Sequence, residues 1–295
     1  KKLNNTIKEN NINILHIRSR APAWLLPFIN TKDIITVSTF HNVYGHANFI
    51  KKYYNKGLDK SDYIIAISDY VKEEISKIYN INLNKITIIN RGIDTDFYDS
   101  KCIDDQSLIN FLKKYNIQEN KKIILYPGRL TEWKGQIQFL NVVERFKDKN
   151  IVFYFAGDDK NSNYKKKLLS QINKKKLINQ CVILGNLNQN DLRVMYYLSE
   201  LVISMPLKPE GFGRIIAESL SMKKIILAFN YGGARNQLEK IDDIYKINSK
   251  NEEELYQRIK HIINSPFETF NNMKNQGRHH IINNFSKKKM LDDYF

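Results

Sequence analysis

The sequence predicts an α/β fold made of two doubly wound domains, each a parallel sheet covered by helices. Short β-branched runs alternate with longer helical patterns along most of the 295 residues. Most of these runs are apolar throughout, as in strands whose two faces are both covered. This rhythm breaks between about residues 91 and 120, where the chain is polar and turn-rich. The break predicts a linker between the two domains.

The first domain, residues 1–115 with the linker included, is expected to contain four strands. Their runs read INILHI (12–17), IITVS (34–38), YIIAI (63–67) and ITII (86–89). A helix over 69–79 follows the third run, with Ser68 as its N-terminal cap. This alternation indicates right-handed crossover connections and therefore parallel strands.

The second domain, residues 116–270, is expected to contain five clear strands and a shorter sixth. Their runs lie at 123–127, 151–157, 181–184, 201–205, 225–229 and 244–247. Helical patterns cover 134–147, 163–177, 189–198 and 213–222. From residue 252 the pattern is helical to the end, and we expect the segment 271–295 to pack back toward the first domain.

The composition excludes several classes of protein. An apolar fraction of 42% with 15 Phe and 17 Tyr is too high for a disordered chain. The longest apolar candidate, residues 21–29, is shorter than the roughly 18 residues that a membrane-spanning helix needs. Cys102 and Cys181 show no pairing pattern, which favours a reducing compartment.

The net charge of +16 has two interpretations. One is a phosphate-rich partner, which includes nucleic acid, an anionic membrane and a phosphorylated small substrate. The other is a general bias toward Lys, Asn and Ile, which extends even to surface segments such as 172–179. No zinc finger, basic zipper or aromatic RNA-binding signature is present, so nucleic acid is not an expected partner.

The stretch PEGFGRIIAESL (209–220) follows a strand and opens a helix. The amides and dipole at a helix start attract anions, and glycines let a phosphate approach the backbone closely. Glu218 suits the diol of a ribose, and Glu210 suits a sugar hydroxyl. The dinucleotide-binding fingerprint is incomplete, because Ile216 occupies its third glycine position. The alternative interpretation is a capped surface helix.

The stretch YPGRLTEWKGQ (126–136) follows the first strand of the second domain. Arg129 carries a planar fork of donors that matches phosphate, and Lys134 supplies a compact charge. Together they would neutralise a departing diphosphate, which would make a metal ion dispensable. The alternative interpretation is two solvated surface cations.

These motifs together resemble the retaining nucleotide-sugar glycosyltransferases of family 4. The resemblance rests on GRL (128–130), Lys134 with Gly135, PEGFG (209–213) followed by Glu218, and GG (232–233), in that order and spacing. It covers most of the chain. It implies the GT-B fold, in which two facing doubly wound Rossmann-like domains bind a nucleoside diphosphate sugar mainly through the second domain. Neither a cofactor nor a metal ion is then expected.

The resemblance also implies a role for each matching residue. Arg129 and Lys134 would bind the donor diphosphate and stabilise it as the leaving group. Glu210 would contact the donor sugar and Glu218 the ribose. The phosphates or the sugar would accept main-chain hydrogen bonds from Gly211, Phe212, Gly213 and Arg214.

The first domain contributes a histidine and two arginines. The stretch STFHNVYG (38–45) is similar to the family segment whose histidine faces the donor sugar, and His41 is the matching residue. A neutral imidazole there would steady charge near the reacting carbon. Arg18 and Arg20 suit an anionic acceptor, such as a phosphorylated or acidic glycan. Without the family pattern, His41 would be structural and the arginines would form surface ion pairs.

Two other segments have competing interpretations. The stretch ANFIKKYYNKGLDK (47–60) mixes aromatic residues with four lysines, which suits an anionic membrane surface or an ordinary solvated helix face. Asp94 and Asp96 resemble a metal-binding carboxylate pair, but their place in the linker argues against that function.

The function predicted from these observations is retaining, metal-independent transfer of a hexose-type sugar from a nucleoside diphosphate to a cell-envelope glycan or glycolipid. We expect the enzyme in the cytoplasm, at the inner face of the membrane. Since the chain begins partway through the family's first domain, we expect that domain to be incomplete. The alternatives are a nucleotide-sugar-binding protein without transfer activity and a basic nucleic-acid-binding protein.

Overall fold

The computed structural model describes residues 2–30, 33–45, 47–158, 160, 162–248 and 251–295. The chain divides into two compact units. Unit 1 comprises Lys1–Arg91, Glu210–Phe212 and Met290–Phe295, and unit 2 comprises Gly92–Pro209 and Gly213–Lys289.

Unit 1 contains four parallel strands, which lie side by side in chain order. The strands are β1 (Ile14–Ile17), β2 (Ile35–Phe40), β3 (Tyr63–Ala66) and β4 (Ile86–Ile88). The helices are α1 (Lys2–Glu9), α2 (Arg20–Ala23), α3 (Phe49–Lys56) and α4 (Asp69–Tyr79). Each of the four expected strands is present.

Helix α4 shows how local sequence sets the ends of an element. The Ser68 hydroxyl accepts a hydrogen bond from the Val71 amide at 3.2 Å and so satisfies one of the first N–H groups of the helix. At the other end Asn80 adopts the left-handed conformation, with φ 56°, and stops the helix. The helix expected over 69–79 is confirmed.

Unit 2 contains a six-stranded parallel sheet, eight helices and the first half of a ninth within the described ranges. The strands are β5 (Lys122–Pro127), β6 (Ile151–Ala156), β7 (Cys181–Gly185), β8 (Leu201–Ser204), β9 (Ile225–Phe229) and β10 (Lys246–Ile247). The first five helices are α5 (Asp105–Tyr115), α6 (Gln136–Val143), α7 (Ser162–Lys174), α8 (Gln189–Leu198) and α9 (Arg214–Ser221). The last four are α10 (Gly233–Leu238), α11 (Glu252–Asn264), α12 (Asn271–Phe285) and α13 (Lys287–Asp292).

The strand order of unit 2 reverses at β5. The order is β10-β9-β8-β5-β6-β7, so the chain winds outward from β5 to β7 and then continues at β8 on the other side of β5. This reversal makes the sheet doubly wound. Open parallel sheets bind ligands at the carboxyl ends of the strands beside such a reversal, which here are β5 and β8.

The core of unit 2 explains why its strands lack alternation. Every residue of β6 is buried, as are all four residues of β8 and all five of β9. Strands covered by helices on both faces are expected to be apolar on both faces. The predicted α/β class with two parallel sheets is therefore confirmed.

The segment between the two sheets differs from the expected linker. It contains no strand in the described structure, as predicted, but it does contain helix α5. The Asp104 carboxylate caps this helix by accepting from the Ser107 amide at 2.8 Å. Phe111 is the one buried residue of α5. A helix with so narrow a buried face produces no clear helical pattern in the sequence.

None of the described helices is both long enough and apolar enough to cross a lipid bilayer.

Candidate functional site

Two sequence motifs follow the strands of unit 2 at which the sheet order reverses. The GRL motif follows β5, and the PEGFG motif, whose last glycine is Gly213, follows β8. Gly128 lies between these elements: a Cβ atom added to it would be 3.6 Å from both Ile215 Cδ1 and Lys134 Cδ. The Lys134 side chain and the first turn of α9 therefore border the same stretch of backbone.

The loop after β5 holds its two cations beside one indole ring. The Lys134 Nζ atom is 4.7 Å from the centroid of the Trp133 ring, and the Arg129 Cζ atom is 5.7 Å from it. Lys134 is only 8% exposed, whereas Arg129 is exposed. The structure thus places both predicted diphosphate-binding residues against the same indole ring.

Hydrogen bonds within unit 2 hold this loop in shape. The Tyr126 hydroxyl donates to the Lys134 carbonyl, and the Gln136 side chain donates to the Arg129 carbonyl at 2.9 Å. Gly135 adopts φ 81°, which favours glycine, and ends the loop at the start of α6. Little backbone rearrangement is then needed to bind an anion.

The start of α9 is open to an anion. Its N-terminal cap is Gly213, which has φ 81° and no side chain to bond to the first-turn amides. In the first turn of α9 the Ile216 amide donates to the Gly213 carbonyl at 2.9 Å, whereas the amides before it have no carbonyl partner within the helix and carry the positive end of its dipole. A phosphate at this point would meet these amides beside the Lys134 side chain.

Glu218 lies inside α9 and is already bonded. Its side chain is 3% exposed. One carboxylate oxygen accepts from Arg214 Nε at 2.5 Å, and the other accepts from the Tyr196 hydroxyl at 3.0 Å. Burial raises the pKa of Glu218, and the Arg214 charge opposes that rise. Tyr98 is a third hydrogen-bond partner of this carboxylate, so the buried Glu218 lies within a cluster of two tyrosines and one arginine.

The side chain of Arg214 was not part of the sequence prediction, which used only its backbone amide. Besides its bond to Glu218, the Arg214 guanidinium lies 3.5 Å from the Tyr98 hydroxyl. The charge of Glu218 raises the pKa of Arg214, against the effect of burial. The i,i+4 spacing of Arg214 and Glu218 on a helix is the signal that could have revealed this pair.

In unit 1, His41 follows β2 and is held neutral at physiological pH. Burial lowers its pKa to about 4, with further lowering by the charges of Arg18, Arg91 and His16. The neutral imidazole expected from the sequence is therefore supported by its surroundings.

The residues 210–212 belong to unit 1 and pack beside His41. A Cβ atom on Gly211 would be 2.9 Å from the His41 carbonyl oxygen and 3.1 Å from the Asn42 Cα atom, so only glycine fits there. The Ser68 hydroxyl donates to the Gly211 carbonyl at 2.7 Å. Phe212 is 5% exposed. Ser68 was predicted only as a helix cap, and its bond to Gly211 could not be read from the sequence.

The two predicted acceptor-binding arginines have different surroundings. The Arg20 guanidinium donates to Asn55 Oδ1 at 2.9 Å and lies 4.4 Å from the centroid of the Tyr44 ring. Arg18 is exposed and lowers the pKa of His41. Arg91, which the sequence analysis did not single out, also acts on His41; its place just after β4, at the same sheet edge, was the available signal.

Within the part of the chain that the structure describes, no group of three or more His, Cys, Asp and Glu residues could hold a metal ion. The Asp94 carboxylate of the DTD pattern accepts from the Phe97 amide at 2.9 Å, which is a turn contact. Metal independence remains a prediction.

Two family models match the chain. The family model "Glycosyl transferases group 1" matches residues 109–280. The family model "Glycosyltransferase Family 4" matches residues 1–97.

Solved structures show the same fold. A glycosyltransferase from Rickettsia africae is 32% identical, with a TM-score of 0.88 over 99% of this chain and 78% of that one. HepE from Anabaena, solved in complex with UDP and glucose, is 18% identical, with a TM-score of 0.85 over 99% of this chain and 78% of that one.

Curated relatives are longer than this chain. A lipopolysaccharide 1,2-N-acetylglucosaminetransferase from Salmonella typhimurium is 26% identical over 132 residues, which is 42% of this chain and 34% of that protein. The matches to three other curated relatives span 43–46% of those proteins. With both family models matched and the GT-B fold shared at 32% identity, the chain belongs to the family 4 type of GT-B glycosyltransferases.

Proposed function

We propose that this protein transfers a sugar from a nucleoside diphosphate to a cell-envelope glycan or glycolipid, with retention of configuration and without a metal ion. One observation carries the proposal. Lys134 and the first turn of α9 border Gly128 at the reversal of the unit 2 sheet, and Arg129 lies against the same Trp133 ring as Lys134. Such an arrangement suits a diphosphate.

In the proposed reaction the bond between the anomeric carbon and the diphosphate oxygen breaks, and a bond to an acceptor hydroxyl oxygen forms on the same face. The acceptor proton passes to the departing diphosphate. Negative charge grows on the diphosphate as it leaves, so the fixed charges of Arg129 and Lys134 stabilise the transition state more than the ground state. Glu218 would hold the ribose, and Gly211, Phe212 and Gly213 would donate main-chain hydrogen bonds.

Unit 1 is proposed to act on the sugar and the acceptor. The neutral His41 imidazole would hydrogen-bond the donor sugar, and Glu210 would contact its hydroxyl groups. Arg18 and Arg20 would suit negative charge on the acceptor. Because Arg20 is engaged with Asn55 and Tyr44, Arg18 is the stronger candidate for direct contact.

The comparisons support parts of this proposal. The complexes of HepE with UDP and glucose favour a nucleotide-sugar donor. The Salmonella transferase favours an acceptor in the cell envelope. Cys102 and Cys181 are free thiols, which favours a reducing compartment such as the cytoplasm, and we propose that the enzyme acts there at the inner face of the membrane.

The experiment is a screen of UDP-, GDP- and ADP-linked sugars, with lipid-linked and envelope glycans as acceptors. Release of nucleoside diphosphate and formation of glycosylated acceptor are measured together. We expect both to occur with one donor in the presence of chelator. Donor binding without release or transfer would establish the binding-only alternative, and the absence of binding to every donor would contradict the proposal.

A further inference from the structure

Helix α3 of unit 1 turns its apolar side chains away from the protein. Four large side chains on it are 81%, 77%, 58% and 41% exposed, in the order Phe49, Ile50, Tyr53 and Tyr54. The polar Asn55, by contrast, is 1% exposed, and its amide donates to the Gly45 carbonyl at 2.7 Å.

This orientation is the reverse of that of an ordinary surface helix. At about 100° per residue, the four apolar side chains span about 140° of the helix circumference and are centred about 170° from Asn55. A surface helix of a soluble protein points its apolar face at the core and its polar face at water. We therefore expect the outward apolar face to be covered by a partner that is itself apolar.

Contacts with α2 and its following turn hold this face in place. The Trp24 Nε1 group donates to the Tyr54 carbonyl at 2.9 Å, and the rings of Trp24 and Tyr53 have centroids 5.0 Å apart. Arg20 donates to the inward-facing Asn55 at 2.9 Å. The aromatic side chains are presented on an anchored helix and not on a loose loop.

The charges around the face are mainly positive, and a carboxylate beside it, that of Asp59, is paired with Lys85 at 3.3 Å. Lys51, Lys52 and Lys56 are exposed, and the stretch 47–58 contains no Asp or Glu. On the helix, Lys52 and Lys56 flank one side of the apolar arc and Lys51 the other. Long lysine side chains beside an apolar surface reach up to anionic groups while their stems stay in apolar contact.

We propose that this α3 face, formed by the four apolar side chains and the three lysines, binds the surface of an anionic lipid bilayer. The aromatic and Ile side chains would enter the boundary between headgroups and acyl chains, and the lysines would contact anionic headgroups. A second copy of the chain is a poorer occupant, because a twofold contact would set lysines against lysines. The binding holds whether or not the chain transfers a sugar.

The experiment is co-sedimentation of the full chain with vesicles. One set contains phosphatidylcholine alone, and the other contains equal parts of phosphatidylcholine and phosphatidylglycerol. We expect binding to the anionic vesicles only. F49S/I50S should weaken it by at least about 10-fold, since each apolar side chain loses its contact with lipid. K51Q/K52Q/K56Q should weaken it by about 100-fold, because each lysine near an anionic surface contributes about fivefold.

The controls remove similar groups elsewhere. I178S/L169S deletes two exposed apolar side chains of unit 2, and K113Q/K166Q/K174Q removes three exposed helical lysines of unit 2. Both should retain at least half of the binding. An equal loss in K113Q/K166Q/K174Q would show that total charge alone acts and would overturn the proposal. A dimer that forms in the absence of vesicles and that F49S/I50S converts to a monomer would also overturn the proposal.

Discussion

At the scale of single residues, Lys134 and Arg129 carry the proposed chemistry. We expect Arg129→Ala and Lys134→Ala each to lower kcat by about 100- to 1,000-fold, because each removes a fixed charge from the developing diphosphate. The KM for the acceptor should change by no more than about twofold, since neither side chain is proposed to contact it. Steady-state kinetics with the donor identified by the screen measures both quantities.

The matched control for these two variants is Lys166→Ala, which removes an exposed lysine from α7. Its kcat should equal that of the unaltered protein. Unchanged kcat in both Arg129→Ala and Lys134→Ala would contradict the proposal that these two charges stabilise the leaving diphosphate.

His41 gives a prediction about pH. Its pKa falls from 6.5 to about 4 in the folded chain, mainly through burial. As the pH drops below 6.5, the unfolded chain gains a proton at this residue and the folded chain does not, so the folded state loses stability until the pH reaches about 4. We expect His41→Asn to reduce the loss in free energy of unfolding between about pH 7 and about pH 5.

Urea unfolding at a series of pH values measures this effect. His279→Asn is the control, because it removes a histidine that is exposed on α12. Parallel stability curves for His41→Asn and the unaltered protein would show that the surroundings of His41 do not hold it neutral.

Residue types and spacing predicted the cations after β5. They did not predict the contacts between residues that are far apart in the sequence. The Ser68 hydroxyl bonds to Gly211, which is 143 positions away. No local pattern encodes that contact, since it depends on the packing of unit 1. The partners of Arg20 were missed for the same reason. An arginine that follows a strand is equally compatible with a ligand-binding and a structural function.

At the scale of elements, β6 supports the loop that carries Arg129. Gly128 donates to the Ala156 carbonyl at 2.7 Å, and Leu130 donates to the Asp158 carbonyl at 2.9 Å. A Cβ atom on Gly157 would overlap the Gly128 carbonyl. The loop and the end of β6 therefore fit together only with glycine at this position.

Gly157→Ala should lower the free energy of unfolding by about 1–3 kcal/mol, because the overlap involves backbone that cannot turn aside. It should also weaken donor binding by displacing Arg129. Gly45→Ala is the control: a Cβ atom there has no neighbour within 4 Å, so the change in stability should stay within about 1 kcal/mol. Equal stability of the two variants in urea unfolding would contradict the described packing.

Elements were easier to predict than single contacts. Ten apolar runs predicted ten strands, and the rule behind this prediction holds most fully for β6, β8 and β9, which are buried on both faces and therefore mainly apolar. Helix α5 was missed because it buries only Phe111. The strand order, and with it the reversal at β5, follows from packing and had to be observed.

At the scale of the whole molecule, Arg278 connects distant parts of unit 2. Its guanidinium bonds to Asp99 Oδ2 at 2.6 Å, to the Tyr98 carbonyl at 2.9 Å and to the Ser221 carbonyl. It thus ties α12 to the segment before α5 and to the end of α9. The Arg278 side chain is 12% exposed, so its partners would be left buried if it were removed.

We expect Arg278→Met to lower the free energy of unfolding by about 3 kcal/mol, because the largely buried Asp99 carboxylate loses its ion-pair partner and the Ser221 carbonyl loses a hydrogen bond. Arg145→Met, which removes one side of the exposed pair with Glu253, should cost about 1 kcal/mol or less. Chemical denaturation of both variants measures the difference. A cost for Arg278→Met no greater than that for Arg145→Met would show that the connection is not a source of stability.

The most direct test of the central claim is calorimetric titration of the full chain with UDP, GDP and ADP in the presence of chelator. We expect one of the three to bind, Lys134→Gln to weaken that binding by at least about 10-fold through loss of a charge-assisted bond, and Lys166→Gln to leave it unchanged. Equal affinity in Lys134→Gln and Lys166→Gln, or no binding of any nucleoside diphosphate, would contradict the claim that unit 2 holds a diphosphate beside β5.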